Sequence, residues 1–82
     1  MKRHSLLIVD DEKEILRSLT LTFMKDYEIF TTSSGIEALD ILAKQDIALI
    51  LADQRMPEMT GVELLAKALL INPNTIRIIL TG

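Results

Sequence analysis

A doubly wound α/β domain built on a parallel sheet is the fold class this sequence predicts, on three observations. Two apolar runs, Leu6-Leu7-Ile8-Val9 and Ile47-Ala48-Leu49-Ile50-Leu51-Ala52, are continuous rather than alternating, as strands buried on both faces are. Amphipathic segments of helical period separate the strand candidates, so the order reads βαβαβαβ, the alternation that yields a parallel sheet with helices on both faces. Acidic residues stand at the carboxyl ends of both runs, Asp10 and Asp11 after the first and Asp53 after the second. Open parallel sheets bind their ligands at that edge.

Each element follows from local chemistry. Leu6 to Val9 is the first strand. Glu12 to Lys25 places Ile15, Leu16, Leu19 and Phe23 on one helical stripe, with acidic residues in the first turn and Lys25 near the end, as the helix dipole favours. That stripe is expected to be core. Tyr27 to Thr31 alternates and is rich in β-formers, giving a short second strand. Ser34 followed by Glu37 is a capping-box pattern that opens a helix through about Lys44, with Ile36, Leu39, Leu42 and Ala43 as apolar positions. Ile47 to Ala52 is the third strand. Thr60 and Glu63 repeat the capping signature, and Val62, Leu65, Ala66 and Leu69 are expected to form the inner stripe of a third helix, which Asn72-Pro73-Asn74 stops. Ile76 to Leu80 is a fourth strand, apolar except for Arg77, and Thr81-Gly82 follow it.

Composition narrows the function classes. The 82 residues read as one domain, 1–82, without linker or repeat, and an apolar fraction of 49% is ample for a core. A net charge of -3 with interleaved signs gives neither a nucleic-acid footprint nor a basic membrane-binding face. The absence of cysteine removes disulfides, thiolate metal sites and thiol nucleophiles. Met1 to Val9 is too short in its apolar run for a signal peptide and leads into Asp10-Asp11-Glu12, so the reading is cytoplasmic, with no membrane segment.

Asp10, Asp11 and Asp53 would repel one another unless a cation joins them. A hard divalent ion is the economical candidate, because Mg²⁺ takes oxygen ligands and completes its shell with water and phosphate. Asp53 can then serve as a nucleophile toward a phosphoryl group, a transfer that depends on positioning and charge neutralisation. Thr81, beyond the fourth strand, could offer a hydroxyl to a phosphoryl oxygen, and Gly82 leaves room for close backbone approach. His4 reads as a solvated terminal residue, Met56 and Met59 as gap-fillers or solvent-facing residues, and Thr31-Thr32-Ser33-Ser34 as a loop and cap.

The segments Leu6-Leu7-Ile8-Val9-Asp10-Asp11-Glu12, Asp53-Gln54-Arg55-Met56-Pro57-Glu58-Met59-Thr60-Gly61 and Ile78-Ile79-Leu80-Thr81-Gly82 together resemble the receiver domains of two-component response regulators, of the chemotaxis-regulator type. The resemblance covers essentially the whole chain. It implies a flavodoxin-like fold, Asp10, Asp11 and Asp53 as Mg²⁺ ligands with the backbone carbonyl of Arg55, Asp53 as phospho-acceptor, and Thr81 as the switch residue contacting the phosphoryl group. Pro57 and Gly61 match the residues that shape the turn into the third helix. The implied partners are a sensor histidine kinase and an output region of the parent regulator, DNA-binding or a cyclic-dinucleotide phosphodiesterase. The implied role is a receiver that assists its own phosphorylation and dephosphorylation, not a dedicated enzyme. Two features depart from the family pattern. Gly82 stands where Ala is commonest, and Lys2, Lys13, Lys25, Lys44 and Lys67 do not occupy the place of the Lys that follows a fifth strand. The expectation is therefore a domain lacking its last strand and last two helices.

Two rival readings belong to other classes. An apolar fourth strand with an uncovered edge and face would suit an assembly module, a homodimer or swapped oligomer without phosphotransfer. A haloacid-dehalogenase-like phosphatase fragment would also use a strand-end Asp, but its signature of two Asp residues one apart followed by Thr is not supplied by Asp10-Asp11-Glu12-Lys13.

Overall fold

A computed structural model of the chain describes residues 3–80. Four parallel strands, β1 (His4–Val9), β2 (Tyr27–Thr32), β3 (Leu49–Asp53) and β4 (Ile76–Leu80), form one sheet in the order β2-β1-β3-β4. The connecting helices are α1 (Lys13–Phe23), α2 (Gly35–Lys44) and α3 (Gly61–Ile71). From β1 the chain moves one way along the sheet to β2, then reverses to β3 and β4. Right-handed crossovers put helices on opposite faces when the direction reverses. Accordingly α1 packs on β1 and β2 on one face, and α2 and α3 pack together on the other. The doubly wound reading stands.

β1 is the spine because it has a neighbour on either side and cover on both faces. Leu7 and Val9 point into the larger core with Ala38, Leu42, Ile50, Ala52, Leu64 and Ala68. Leu6 and Ile8 point the other way, onto Leu51 and the flank of α1. All of Leu6 to Val9 are at most 1% exposed, and each such side chain stabilises the fold by about 1.5–3 kcal/mol. Ile47 is equally buried although it precedes β3, which begins at Leu49; its carbonyl accepts from the buried Thr75 hydroxyl at 2.7 Å, tying the entrances of β3 and β4.

The helix phases depart from expectation in instructive ways. On α1, Leu16, Leu19 and Phe23 do pack on the sheet, but Ile15 is 38% exposed and no residue of the helix is fully buried. The helix also ends before Lys25, leaving its last turn without a basic residue. On α2 the inner residues are Gly35, Ala38 and Leu42, while Ile36 is 63% exposed and Ala43 lies outside. On α3 the inner stripe is Gly61, Leu64, Leu65 and Ala68, one position earlier than predicted; Val62, Ala66 and Leu69 face out. The reason is steric. Gly61 lies so close to the Asp53 backbone and Gly35 so close to Met59 that only a small residue fits at either place, and each helix turns that residue inward with its larger neighbour facing out.

Both predicted N-caps form, and of the two predicted capping boxes the one on α3 closes. Ser34 accepts from the Glu37 N–H at 3.2 Å, and Thr60 and Glu63 make the full reciprocal box. Hydrogen bonds from the backbone N–H and then the hydroxyl of Thr60 hold the Glu63 carboxyl below its usual value of 4.5. A lowered carboxyl pKa in the folded state means that the contribution is present above the unfolded value and lost as pH falls through the folded one. Glu63→Gln is therefore expected to melt slightly lower than wild type at neutral pH and to converge with it as pH falls below 4.5, so that its acid limb is the flatter, as read by thermal denaturation across pH.

Candidate functional site

The reversal of strand order falls between β1 and β3, and the crevice beyond the carboxyl ends of these two strands is the place where doubly wound sheets bind ligands. Asp10 leaves β1 there, Asp11 follows it, and Asp53 is the last residue of β3. One carboxylate oxygen from each of the three lies within 4.8 Å of the others. Val9 pairs with Ala52, so the register itself carries Asp10 and Asp53 side by side.

Their environments differ. Asp10 is 5% exposed, Asp53 is half-buried and Asp11 is open to solvent. Asp10 is held in place by its own N–H, which donates to the Thr32 carbonyl at 3.2 Å, and by the Glu12 N–H, which donates to its Oδ1 at 2.9 Å. Burial pushes the Asp10 carboxyl up; the Glu12 N–H opposes this, and the charges of Asp53 and Asp11 add to the rise. Among the described residues no Lys or Arg forms an ion pair with the cluster, and the ion pair that is present, Lys44 with Asp40, lies on the surface of α2. Carboxylates drawn together without a cation are the donor set of a hard-metal site, so the residues fit a divalent ion such as Mg²⁺.

The loop from Gln54 to Thr60 forms the other wall. Gly61 opens α3 directly against the backbone of Asp53: a Cβ built at Gly61 would meet the Asp53 carbonyl oxygen at 2.6 Å and Ile79 Cδ1 at 2.9 Å. Its φ is not positive, so space and not backbone conformation calls for glycine. Arg55 lies on this loop with its side chain exposed. Met59 is buried against Gly35, and Met56 packs on the same core from its edge. Between these loops a cavity of about 360 Å³ opens beside Asp11, lined also by Ser33, Ser34, Gly35 and Pro57. Thr81, the remaining predicted site residue, lies outside the described residues. One contributor escaped the sequence reading: Gln54, whose side chain accepts from the Val62 N–H at 3.0 Å. A partner eight residues away across a loop leaves no periodic signal.

Sheet and site together define a class, the doubly wound α/β domains that work at the carboxyl ends of their strands. Within that class the chain belongs to the response regulator receiver domain family, whose profile matches residues 6–82. It is 38% identical over 81 residues to the hydrogenase transcriptional regulatory protein HoxA of Cupriavidus necator, covering 99% of this chain and 17% of that protein. It is 38% identical over 83 residues to the sporulation initiation phosphotransferase F of Bacillus subtilis, covering 100% of this chain and 67% of that protein. Among solved structures, a CheY-like response regulator receiver domain protein from Methanospirillum hungatei superposes with a TM-score of 0.94 at 33% identity, covering 99% of this chain and 66% of that one. The chain thus spans less than a fifth of the HoxA protein and about two thirds of the receiver structure. It is a receiver domain of two-component phosphorelay systems, and receiver domains are signalling modules.

Proposed function

We propose that Asp53 accepts a phosphoryl group from the phosphohistidine of a sensor histidine kinase. The observation that carries this reading is the meeting of three carboxylates at the switch point with no described cation to balance them. In the transfer an Asp53 carboxylate oxygen forms a bond to phosphorus as the nitrogen–phosphorus bond of the donor breaks, and the bond's electron pair leaves with the imidazole. Asp10, Asp11, Asp53 and the Arg55 carbonyl would hold Mg²⁺, which when bound neutralises charge on the phosphoryl oxygens. Asp10 is fixed for that role by the Glu12 and Thr32 contacts, so it needs no reorganisation when the ion arrives. Thr81 would contact the phosphoryl group and report its presence.

The domain would then signal to an output region. The regulators HoxA and GlrR, matched over nearly the whole of this chain, are named as transcriptional regulatory proteins, which favours a DNA-binding output over a cyclic-dinucleotide phosphodiesterase. Self-assisted phosphorylation and dephosphorylation, without a dedicated enzymatic activity, and a cytoplasmic setting complete the reading; no helix among the described residues is long and apolar enough to cross a membrane. The matched regulators and receivers favour phosphotransfer over the phosphatase alternative. Among the described residues β4 is paired to β3 alone and leaves Ile76 59% and Ile78 38% exposed, the surface on which a homodimer or swapped oligomer would form. Light scattering that returns a monomer at high concentration would remove that second reading.

The direct test is incubation of the full-length protein with acetyl phosphate. One phosphoryl group should appear on the peptide carrying Asp53, be labile to hydroxylamine as an acyl phosphate is, and vanish when a chelator removes Mg²⁺. Label on another residue, or uptake indifferent to chelation, would contradict the proposal.

A further inference from the structure

Three backbone connections converge on Gln54, the residue directly after the proposed acceptor. Its N–H donates to the Leu80 carbonyl of β4 at 3.4 Å, its carbonyl accepts from the Gly61 N–H at 3.2 Å, and its side-chain Oε1 accepts from the Val62 N–H at 3.0 Å. The first N–H groups of a helix have no partner within it. In α3 they are divided between two providers: Thr60 serves Glu63, as a cap ordinarily does, while Gln54 serves Gly61 and Val62 from the far end of the loop. A single residue therefore closes loop 55–60 into a ring and joins it to β4.

That ring matters because of what it encloses. The start of α3 presses on the Asp53 carbonyl closely enough to exclude a Cβ at Gly61, so any drift of the first turn of α3 is felt by the backbone of Asp53 itself. Arg55 is the first residue inside the ring, and its side chain is exposed. Ordering a backbone costs roughly 1–2 kcal/mol per residue, so a loop held in advance spares a ligand that cost on binding.

We infer that Gln54 is a positioning residue for the divalent-cation site, its side-chain amide clamping the first turn of α3 so that the Asp53–Arg55 backbone is set before the ion binds. The inference rests on the phosphotransfer reading above, which makes Arg55 a ligand through its carbonyl. It gives the side chain of Gln54 a positioning role, exerted through its bond from the Val62 N–H.

The test uses the full-length protein and Mn²⁺ alone, with free ion followed by electron paramagnetic resonance and Mg²⁺ as competitor. Gln54→Met keeps the length of the side chain and removes the acceptor; Thr60→Ala removes the other cap of α3 and leaves residue 54 untouched. Loss of one preorganising hydrogen bond should weaken Mn²⁺ binding about 3- to 10-fold in Gln54→Met, against less than about 2-fold in Thr60→Ala. Saturating Mg²⁺ should return the acetyl-phosphate rate of Gln54→Met to that of wild type, since the ligands themselves are intact. A second measurement needs no variant: coupling is reciprocal, so Mg²⁺ should slow hydrogen exchange at the Val62 N–H more than at the Glu63 N–H. Wild-type Mn²⁺ affinity in Gln54→Met, equal weakening in both variants, a rate not restored at saturation, or Val62 exchange indifferent to Mg²⁺ would each overturn the inference. Those results leave the metal site standing; failure of the wild-type protein to bind Mn²⁺ at all would remove the site and the inference together.

Discussion

Gly61→Ala is expected to destabilise the domain by about 1–3 kcal/mol and to weaken divalent-cation binding, although it adds a single methyl group at a helix start. Helix propensity alone favours the change, since Ala is better than Gly in a helix by nearly 1 kcal/mol. The backbone of Gly61 is also open to any residue, its φ being negative. The loss must therefore come from contact: the new Cβ meets the Asp53 carbonyl at 2.6 Å and Ile79 Cδ1 at 2.9 Å. Ile79 can rotate away, but the carbonyl belongs to the strand that carries the acceptor. Relief requires α3 to lift from β3, which stretches the bond from the Gly61 N–H to Gln54 and moves the loop bearing Arg55. Gly35→Ala is the natural control, because its nearest neighbour is the flexible thioether of Met59 at 3.0 Å, and it should cost well under about 1 kcal/mol. Thermal melts should show Gly61→Ala lower by roughly 5–20 °C for a domain of this size. A Gly61→Ala protein as stable as wild type would refute the packing argument.

The same contact explains where sequence reading succeeded and where it slipped. Strand identity was legible because β1 is buried on both faces and its composition has to say so; Leu6 to Val9 leave no position for a polar residue. The acidic site was legible for a topological reason, since residues just beyond two neighbouring parallel strands converge wherever the order reverses. Helix phase on α3 was not. Apolar residues occur nearly all round that helix, so Val62-Leu65-Ala66-Leu69 and Gly61-Leu64-Leu65-Ala68 satisfy the same spacing, and only the closeness of the sheet chooses between them. Small residues at that spacing are the overlooked signal, and they recur on α2 as Gly35 and Ala38. Gln54 could not have been found by any periodic rule, because its bond to Val62 depends on how the intervening loop folds.

Asp10→Asn and Asp53→Asn should agree in stability and part company in chemistry. Each removes one of three like charges whose oxygens lie within 4.8 Å, a repulsion on the order of a few kcal/mol at the effective dielectric of a protein surface. For Asp10 the burden is heavier, because burial already pushes its carboxyl up and, among the described residues, the N–H bonded to that carboxylate is that of Glu12. Asn keeps an oxygen for that N–H and sheds the charge. Without divalent ions at neutral pH, both variants should therefore melt higher than wild type, by several degrees for each ~1 kcal/mol relieved. Addition of Mg²⁺ should raise the wild-type midpoint and close the gap, since a ligand that binds only the folded state stabilises it. In Asp10→Asn the ion should lose at least about 10-fold in affinity and phosphoryl uptake should slow with it, recovering in part at high Mg²⁺. In Asp53→Asn no concentration of Mg²⁺ should restore uptake, because the amide offers no carboxylate oxygen to phosphorus. Equal labelling of Asp53→Asn and wild type would dismiss Asp53 as the acceptor. A metal-free Asp10→Asn protein less stable than wild type would mean that the carboxylates are already balanced, and the case for a cation would fall with that result.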